Sequence, residues 1–248
     1  MAINQPLGDP VSWSAASLPG PSLHGTRVLL RPVDAQADAP PLYAASHSPT
    51  GDPTIWTYLF DGPYDGVGQM RGALDEAVAS EDPRFFSIVP FSVGTAAGIA
   101  SYLRIEPAHG SIEIGNIWFG PELRRTAAAT EAIYLLAHHA FDELGYRRLE
   151  WRCNALNAPS RRAAERFGFS FEGTFRCHQV VKGRNRDTAW YAIIADDWPL
   201  IQSAFQRWLQ PTNFDADGTQ RRSLVEIRTE ASRPASSDRV ASRATVPR

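Results

Sequence analysis

Two arginines and a run of small residues stand where an apolar strand gives way to a helix. The strand ends at Phe119, a turn containing Pro121 follows, and Arg124 and Arg125 precede the helix. The first turn of a helix leaves backbone N–H groups without partners, and the helix dipole favours negative charge there. With two guanidinium groups beside those N–H groups, the segment is predicted to bind phosphate.

A second polar segment lies further along the chain, between a strand and a short helix. Asn157 and Ser160 fall around the start of this helix, which ends at Gly168. Either side chain could be the N-cap, because it could accept a hydrogen bond from a backbone N–H group of the first turn.

These segments (113–132, 150–160 and 166–173) resemble the GCN5-related N-acetyltransferases (GNATs), and more closely the subgroup with the ribosomal-protein N-terminal acetyltransferases. The resemblance runs from about Leu23 to Trp198. It implies an α/β (α+β) fold, with a mixed, mostly antiparallel sheet, flanking helices and splayed central strands. It also implies acetyl-CoA as co-substrate and transfer of the acetyl group to an amine by direct attack on the thioester.

The resemblance implies a cofactor-binding set at both segments. Backbone amides from Arg125 to Thr130 would hold the pyrophosphate of coenzyme A, at a signature in which Ala127 replaces a family glycine. Alanine adopts positive φ only at a cost, so we expect helical angles at Ala127. The pantetheine arm would bond to Asn157, and Ser160 would protonate or stabilise the leaving thiolate. The full predicted set is Ile117, Phe119, Arg124, Arg125, Thr126, Ala127, Ala128, Ala129, Thr130, Asn157 and Ser160.

The reaction needs a general base, because an ammonium group cannot attack a thioester. By resemblance the strand that carries Glu113 supplies this base, and a carboxylate beside Trp118 could have a raised pKa. As alternatives, Glu113 is an exposed strand residue or an ion-pair partner. Many relatives place an acidic tyrosine where this chain has Ala164, which leaves the general-acid role to Ser160 or to water. A backbone N–H group near Ile117–Phe119 could bind the thioester oxygen.

Four residues are predicted to line the acceptor pocket: Trp56, Tyr58, Asn116 and Trp118. Aromatic walls with one acid suit an amine through stacking and cation–π contact, although each aromatic side chain could instead cover the core. The acceptor is a protein N-terminal α-amine or a small amine, such as an aminoglycoside, a polyamine or an amino-acid derivative. A non-catalytic module that keeps coenzyme A as a structural or sensing ligand is a further alternative, which Ala127 and Ala164 favour.

Residue patterns predict the elements that position these groups. Apolar residues at helical spacing between Ile133 and Leu144 indicate a helix that Gly145 ends and whose His138 and His139 face solvent. Pro40 and Pro41 indicate that a helix over 35–45 is broken or starts late. Further helices are predicted at 69–80, 157–168 and 196–209, and strands at 26–32, 85–89, 98–105, 111–119, 147–155, 169–181 and 188–194. The charged segment 182–187 is predicted to be a solvated hairpin loop, with contact to an acidic partner as the alternative.

Length and composition indicate one acetyltransferase domain over 23–210, after an extended arm at 1–22 and before a disordered tail at 211–248. With a net charge of −2, the 248-residue chain as a whole is not a polyanion binder, although arginines of the tail could guide it to RNA or ribosomes. No apolar run is long enough to span a membrane, so we expect a cytoplasmic protein. The two cysteines predict neither a disulfide nor a zinc site, and a homodimer is left open.

Overall fold

Eight strands form one sheet in the computed structural model, which describes residues 7–14, 16–20, 22–47, 49 and 51–232. Their order across the sheet is β1-β2-β3-β4-β5-β6-β8-β7, and every neighbouring pair except β5–β6 is antiparallel. The mixed, mostly antiparallel sheet confirms the predicted fold class. The strands are β1 (Leu23–His24), β2 (Val28–Pro32), β3 (Arg84–Pro90), β4 (Gly98–Glu106), β5 (Ser111–Phe119), β6 (Arg148–Asn154), β7 (Ser170–Val181) and β8 (Arg184–Ile194).

Helices cover both faces of this sheet. They are α1 (Ala35–Ser46), α2 (Val67–Ala79), α3 (Ala127–His138), α4 (Ala158–Phe167), α5 (Trp198–Trp208) and α6 (Leu224–Ala231), with short 3₁₀ turns at Pro53–Thr57 and Pro211–Asn213. The main hydrophobic core lies between the sheet and α3, α4, α5 and α6. A second, smaller core lies beneath α1 and α2 and contains Trp56 and Trp118.

The two parallel strands stay paired for only three residues. Ser111 to Glu113 of β5 face Arg148 to Glu150 of β6, and beyond this point the strands part. A register shift between β4 and β5 accompanies the parting, and Asn116 lies in it with a left-handed φ of 51°. The predicted splay of the central strands is therefore present, and a bulge of the kind that redirects a strand marks its start.

Helix α3 buries the predicted apolar stripe, including Ile133, Leu136 and Phe141. Its last turn differs from the prediction, because His139–Glu143 forms a π-helical turn that continues α3. His139, whose N–H still donates to Leu135 O as in an α-helix, lies inside the core, 4% exposed, with its Nδ1 3.3 Å from the hydroxyl of Tyr102. The prediction that His139 faces solvent is thus wrong, whereas the neighbouring His138 is partly exposed.

Helix α1 is continuous, so the predicted break or late start at Pro40 and Pro41 is wrong. Each proline removes one backbone donor from the helix. Two features offset this loss: the Asp34 carboxylate caps the N-terminus by accepting from two backbone N–H groups, and the face with Ala39 and Leu42 is fully buried.

The β7–β8 connection is shorter than predicted. Strand β8 begins at Arg184, and only Lys182 and Gly183 form the turn, with φ of 50° and 71°. Two successive left-handed residues match the twist of a two-residue hairpin, so the charged residues 184–187 extend the strand instead of forming a loop.

The chain beyond residue 210 was predicted to be disordered, and for 211–232 this prediction is wrong. Helix α6 opens with a capping box in which Ser223 and Glu226 bond each other's backbone N–H groups, and it buries Leu224 and Ile227. Residues 233–248 of the predicted tail lie outside the described residues. In the predicted N-terminal arm, residues 7–14 and 16–20 have no regular secondary structure, and the Ser17 N–H donates to Leu144 O.

Two exclusions follow for the described part of the chain. None of its helices is both long and apolar enough to cross a membrane. It contains no cluster of three or more His, Cys, Asp or Glu residues able to hold a metal ion, and Cys153 and Cys177 are free thiols.

Candidate active site

A cleft of about 770 Å³ opens where β5 and β6 part. This volume is enough for one drug-sized ligand. The wall comprises the diverging ends of both strands, the turn after Asp52, the start of α4 and the β7–β8 hairpin. Among the lining residues are Tyr58, Arg104, Glu113, Asn116, Ile117, Trp118, Phe119, Arg124, Arg152, Asn157, Ser160, His178 and Arg186.

Glu113 lies at the closed end of this cleft, at the last paired position of β5. It is 3% exposed, so the alternative of an exposed strand residue is wrong. Arg104 Nη1 donates to Glu113 Oε2 over 2.7 Å, and Arg152 Nε lies 3.1 Å from the same oxygen. Burial raises the pKa of Glu113 to about 7, although the charges of Arg104 and Arg152 act in the opposite direction. The carboxylate is therefore an ion-pair partner that can also exchange a proton near neutral pH.

The two arginines around Glu113 were not predicted from the sequence. Arg104 has a left-handed φ of 49°, and its backbone N–H donates to the Asp82 carboxylate over 2.9 Å. Arg152 reaches Glu113 from β6, and it also pairs with Glu150 of its own strand. The alternation Glu150-x-Arg152 puts both charges on one face of β6, and this pattern was the available signal.

Helix α3 begins just after Arg124, which lines the cleft. Thr126 is the N-cap, and its hydroxyl accepts from the Ala129 N–H over 3.2 Å. The N–H groups of Thr126 and Thr130 donate to backbone carbonyls within the chain. Of the six predicted amides, those of Arg125, Ala127 and Ala128 have no hydrogen-bond partner among the described residues. These three are the groups that remain for a phosphate.

The backbone of this turn explains why Ala127 can stand where the family signature has a glycine. Ala127 is the first helical residue and has no positive φ, as predicted. The left-handed position lies two residues earlier, at Arg125, whose φ is 61° and whose side chain is exposed. Arg125 thus carries both the tight turn and a free positive charge.

Arg124 has a different environment from Arg125. Its Nε donates to Phe119 O over 2.9 Å, and its Nη1 pairs with the Asp52 carboxylate. Asp52 also caps the Pro53–Thr57 turn, and the hydroxyl of Thr54 and the Arg124 charge hold its pKa down to about 2. Arg124 therefore fastens the turn that forms one wall of the cleft.

Asn157 and Ser160 meet at the start of α4. Asn157 Oδ1 accepts from the Ser160 N–H over 3.1 Å, which makes Asn157 the N-cap and leaves its Nδ2 without a partner among the described residues. Ser160 Oγ accepts from Trp151 Nε1 over 3.0 Å. Burial raises the pKa of the neighbouring Cys153 thiol, and a hydrogen bond from the Ser160 side chain acts in the opposite direction. Both side chains line the cleft, whereas Ala164 is fully buried in the core.

Beyond Glu113, the edge of β5 that faces β6 has no strand partner. Backbone N–H groups of this edge, near Ile117 and Phe119, can therefore bind a ligand inserted between the strands. The side chain of Asn116 is fixed, since its Nδ2 donates to Ser101 Oγ over 3.0 Å.

The structure brings three of the four predicted acceptor residues into the cleft: Tyr58, Asn116 and Trp118. Trp56 lies behind them. It is 5% exposed, its Nε1 donates to Ser46 O, and its ring packs 5.9 Å from that of Trp118. Trp56 lines a neighbouring cavity of about 550 Å³, which shares Asn116 and Trp118 with the cleft.

The β7–β8 hairpin closes over the cleft and contacts its opposite wall. Lys182 Nζ donates to the carbonyl oxygens of Trp56 and Asp61, both over 2.9 Å. The guanidinium of Arg186 lies 4.7 Å from the centroid of the Phe60 ring. This bridge narrows access to Glu113.

Comparisons with known proteins agree with this architecture. Residues 27–170 match the model of an acetyltransferase (GNAT) domain. A crystal structure of a GCN5-related N-acetyltransferase from Brucella melitensis has 46% sequence identity and a TM-score of 0.85, over 88% of this chain and 99% of that one. An uncharacterized N-acetyltransferase p20 of Bacillus licheniformis is 25% identical over 59% of this chain and 84% of its own. The ribosomal-protein-serine acetyltransferase of Escherichia coli is 30% identical over 40% of this chain and 55% of its own.

Proposed function

This chain belongs to the GNAT acetyltransferase family, and we propose that it transfers the acetyl group of acetyl-CoA to a primary amine held in the cleft. The observation that carries the proposal is the buried Glu113 at the parting of β5 and β6, with a pKa of about 7. A group with this pKa is a useful proton acceptor at neutral pH.

The family co-substrate, acetyl-CoA, fits the groups that line the cleft. Its pyrophosphate would accept from the free N–H groups of Arg125, Ala127 and Ala128, with the Arg125 guanidinium beside them. Its pantetheine arm would lie between β5 and β6, where Asn157 Nδ2 is free to donate. Three further residues of the predicted cofactor-binding set, Thr126, Ala129 and Thr130, would act by shaping the helix start.

The chemical step that we propose is one direct transfer. Glu113 takes a proton from the acceptor ammonium, and the neutral nitrogen attacks the thioester carbon. The N–C bond forms, a backbone N–H group of β5 stabilises the developing oxyanion, and the C–S bond breaks. Ser160 donates its hydroxyl proton to the departing thiolate, and the second proton that the nitrogen loses as the amide forms restores the Ser160 hydroxyl, which leaves coenzyme A and an acetylated amine.

An α-amine is our first candidate for the acceptor. The name of the Escherichia coli relative, a ribosomal-protein-serine acetyltransferase, supports a protein as the acceptor, and the match spans 55% of that relative. The Lys182 bridge favours the second candidate, a small amine, because it narrows the entrance. We further propose that the enzyme works in the cytoplasm, and a homodimer stays a prediction.

The first experiment is a calorimetric titration of acetyl-CoA, followed by thiol release with small amines and N-terminal peptides. Binding of acetyl-CoA together with thiol release on peptides supports a protein acetyltransferase. Thiol release on small amines alone would instead identify the acceptor as a small amine. Binding without release on any amine would favour the alternative of a non-catalytic coenzyme A module. Absence of binding would contradict the proposed function itself.

A further inference from the structure

Arg186 is a buried cation that has no hydrogen-bonding or ion-pair partner in the part of the chain that the structure describes. Its side chain lines the cleft, yet the residue is only 6% exposed. Its Nε has no hydrogen-bond partner, and among the described residues its guanidinium makes neither a hydrogen bond nor an ion pair. The ring of Phe60, 4.7 Å away, covers one face of the guanidinium plane and leaves the N–H groups in that plane free.

Such a group is costly to bury unless an anion compensates it. Burial lowers the pKa of Arg186, which reflects this cost, although the charge of Glu113 acts in the opposite direction. The other arginines that line the cleft are compensated: Arg104 and Arg152 pair with Glu113, and Arg124 pairs with Asp52. Glu113 is the single carboxylate among the described lining residues, so the cleft holds an excess of positive charge.

The excess positive charge of the cleft lies on the face of the sheet on which Arg152 contacts Glu113. Arg152 is directly opposite Trp190 of β8, and Asn154 is opposite Thr188. Side chains two residues apart on a strand share a face, so Arg186 belongs to the face of Thr188 and Arg152. Arg152 reaches Glu113 on that face, whereas its neighbour Cys153 is part of the main core and also borders the cleft. The phosphate groups of coenzyme A would lie at α3, away from Arg186.

We propose that Arg186 binds a carboxylate of the acceptor, so that the substrate is an amine that carries a carboxylate near its nitrogen. The inference rests on the proposed function and names its acceptor class. A guanidinium can bind a carboxylate through two parallel hydrogen bonds, and the acceptor ammonium would then lie toward Glu113. The two sources of this chemistry are a free amino acid and a peptide with an acidic residue next to its N-terminus. Polyamines and aminoglycosides, which add only positive charge, are disfavoured.

The test uses acceptor pairs that differ only in the carboxylate. Free amino acids are compared with their amides, and peptides with Glu at the second position are compared with the same peptides carrying Gln. Thiol release gives kcat/KM for wild type, Arg186→Gln, Arg186→Lys and the control Arg184→Gln, an exposed arginine of the same strand. Calorimetry with acetyl-CoA verifies that each variant folds and binds the donor.

For wild type and Arg184→Gln we expect kcat/KM to favour the carboxylate member of a pair by about tenfold to a hundredfold, the range of a charge-assisted hydrogen bond. Arg186→Gln should bring the ratio close to one, and Arg186→Lys should keep part of it. The pair that shows the preference identifies the source. Two outcomes would overturn the assignment of Arg186 while leaving acetyl transfer intact. One is an equal wild-type kcat/KM for both acceptors of a pair, and the other is an equal loss of kcat/KM for both acceptors in Arg186→Gln. No turnover of any amine would instead overturn the proposed function.

Discussion

Arg152 of β6 and Glu113 of β5 form an ion pair, with Nε and Oε2 3.1 Å apart, across the point where the two strands separate. Beyond it the strands no longer share hydrogen bonds, so side-chain charge joins them at the closed end of the cleft. Burial nevertheless raises the pKa of Glu113 to about 7. The same carboxylate can therefore hold the strands together and accept a proton.

Replacement of Glu113 by Gln should slow acetyl transfer by about a hundredfold, the lower range for loss of a general base. Glutamine keeps the size of the side chain, so the dissociation constant for acetyl-CoA should stay unchanged. Thiol release and calorimetry measure the two quantities. Glu122→Gln is the matched control, because Glu122 is exposed. Equal rates for Glu113→Gln and wild type would exclude Glu113 as the base.

The wild-type rate should depend on pH with a definite sign. Since Glu113 acts in its deprotonated form, kcat/KM should rise with pH and level off above about 7, the raised pKa of this carboxyl. In Glu113→Gln this rise of kcat/KM around pH 7 should be absent, so that the remaining pH dependence comes from the titration of the acceptor amine. A wild-type profile that stays flat from pH 5 to pH 8 with an acceptor of low pKa would contradict the assignment.

Ser160→Ala tests the general acid. The variant loses the proton donor for the thiolate, so kcat should fall by about tenfold or more. It also removes the acceptor of Trp151 Nε1, and a buried unsatisfied donor should lower the free energy of unfolding by about 1–3 kcal/mol. Urea titration and steady-state kinetics separate the two effects. Ser203→Ala, an exposed position in α5, should change neither, and an unchanged kcat in Ser160→Ala would assign the proton transfer to water.

Arg125 combines a strained backbone with a free charge, and two substitutions can separate these properties. Both Arg125→Gly and Arg125→Ala remove the guanidinium, so both should weaken acetyl-CoA binding by about tenfold. Only glycine adopts the left-handed φ of 61° without strain. The free energy of unfolding of Arg125→Gly should therefore be roughly 1 kcal/mol higher than that of Arg125→Ala. Equal stability of the two variants would show that the turn carries no strain at this residue.

The sequence was informative wherever one segment determines its own structure. The period of the stripe around Ile133 predicted α3, and the spacing of Asn157 and Gly168 predicted both ends of α4. The register between strands is not a local property, which is why Arg104 and Arg152 were missed beside Glu113. A sequence pattern does not give the distance between residues on separate strands.

The errors have local physical causes too. His139 lies three residues after Leu136 and seven after Ala132, which are both fully buried, so the helical period itself places it at the edge of the apolar stripe, and its polar side chain suggested the wrong side. The capping box of α6 was present in the sequence as Ser223 and Glu226, but the polar composition around it suggested disorder.

Helix α6 should contribute measurably to stability, because it covers the main core. Ile227→Ala should lower the free energy of unfolding by about 2–4 kcal/mol, since Ile227 is 3% exposed. Val225→Ala on the same helix should change it by no more than about 0.5 kcal/mol, because Val225 is 43% exposed. Urea titration of both variants measures the difference. Similar values for the two would mean that α6 does not pack on the core in solution.

Lys182 should control entry of the acceptor. It is the only lysine in the chain, and its Nζ joins the hairpin to the carbonyls of Trp56 and Asp61. Lys182→Met keeps an apolar stem but loses both hydrogen bonds, so the segment 53–61 should exchange its amide hydrogens faster. The KM for the acceptor should change by about fivefold, which corresponds to roughly 1 kcal/mol, whereas acetyl-CoA binding should not change. Hydrogen exchange followed by mass spectrometry measures the first effect, with Arg184→Gln as the control for the hairpin surface. Unaltered exchange at 53–61 in Lys182→Met would mean that the wall is held by Arg124 and Asp52 instead, because that ion pair anchors the start of the same turn.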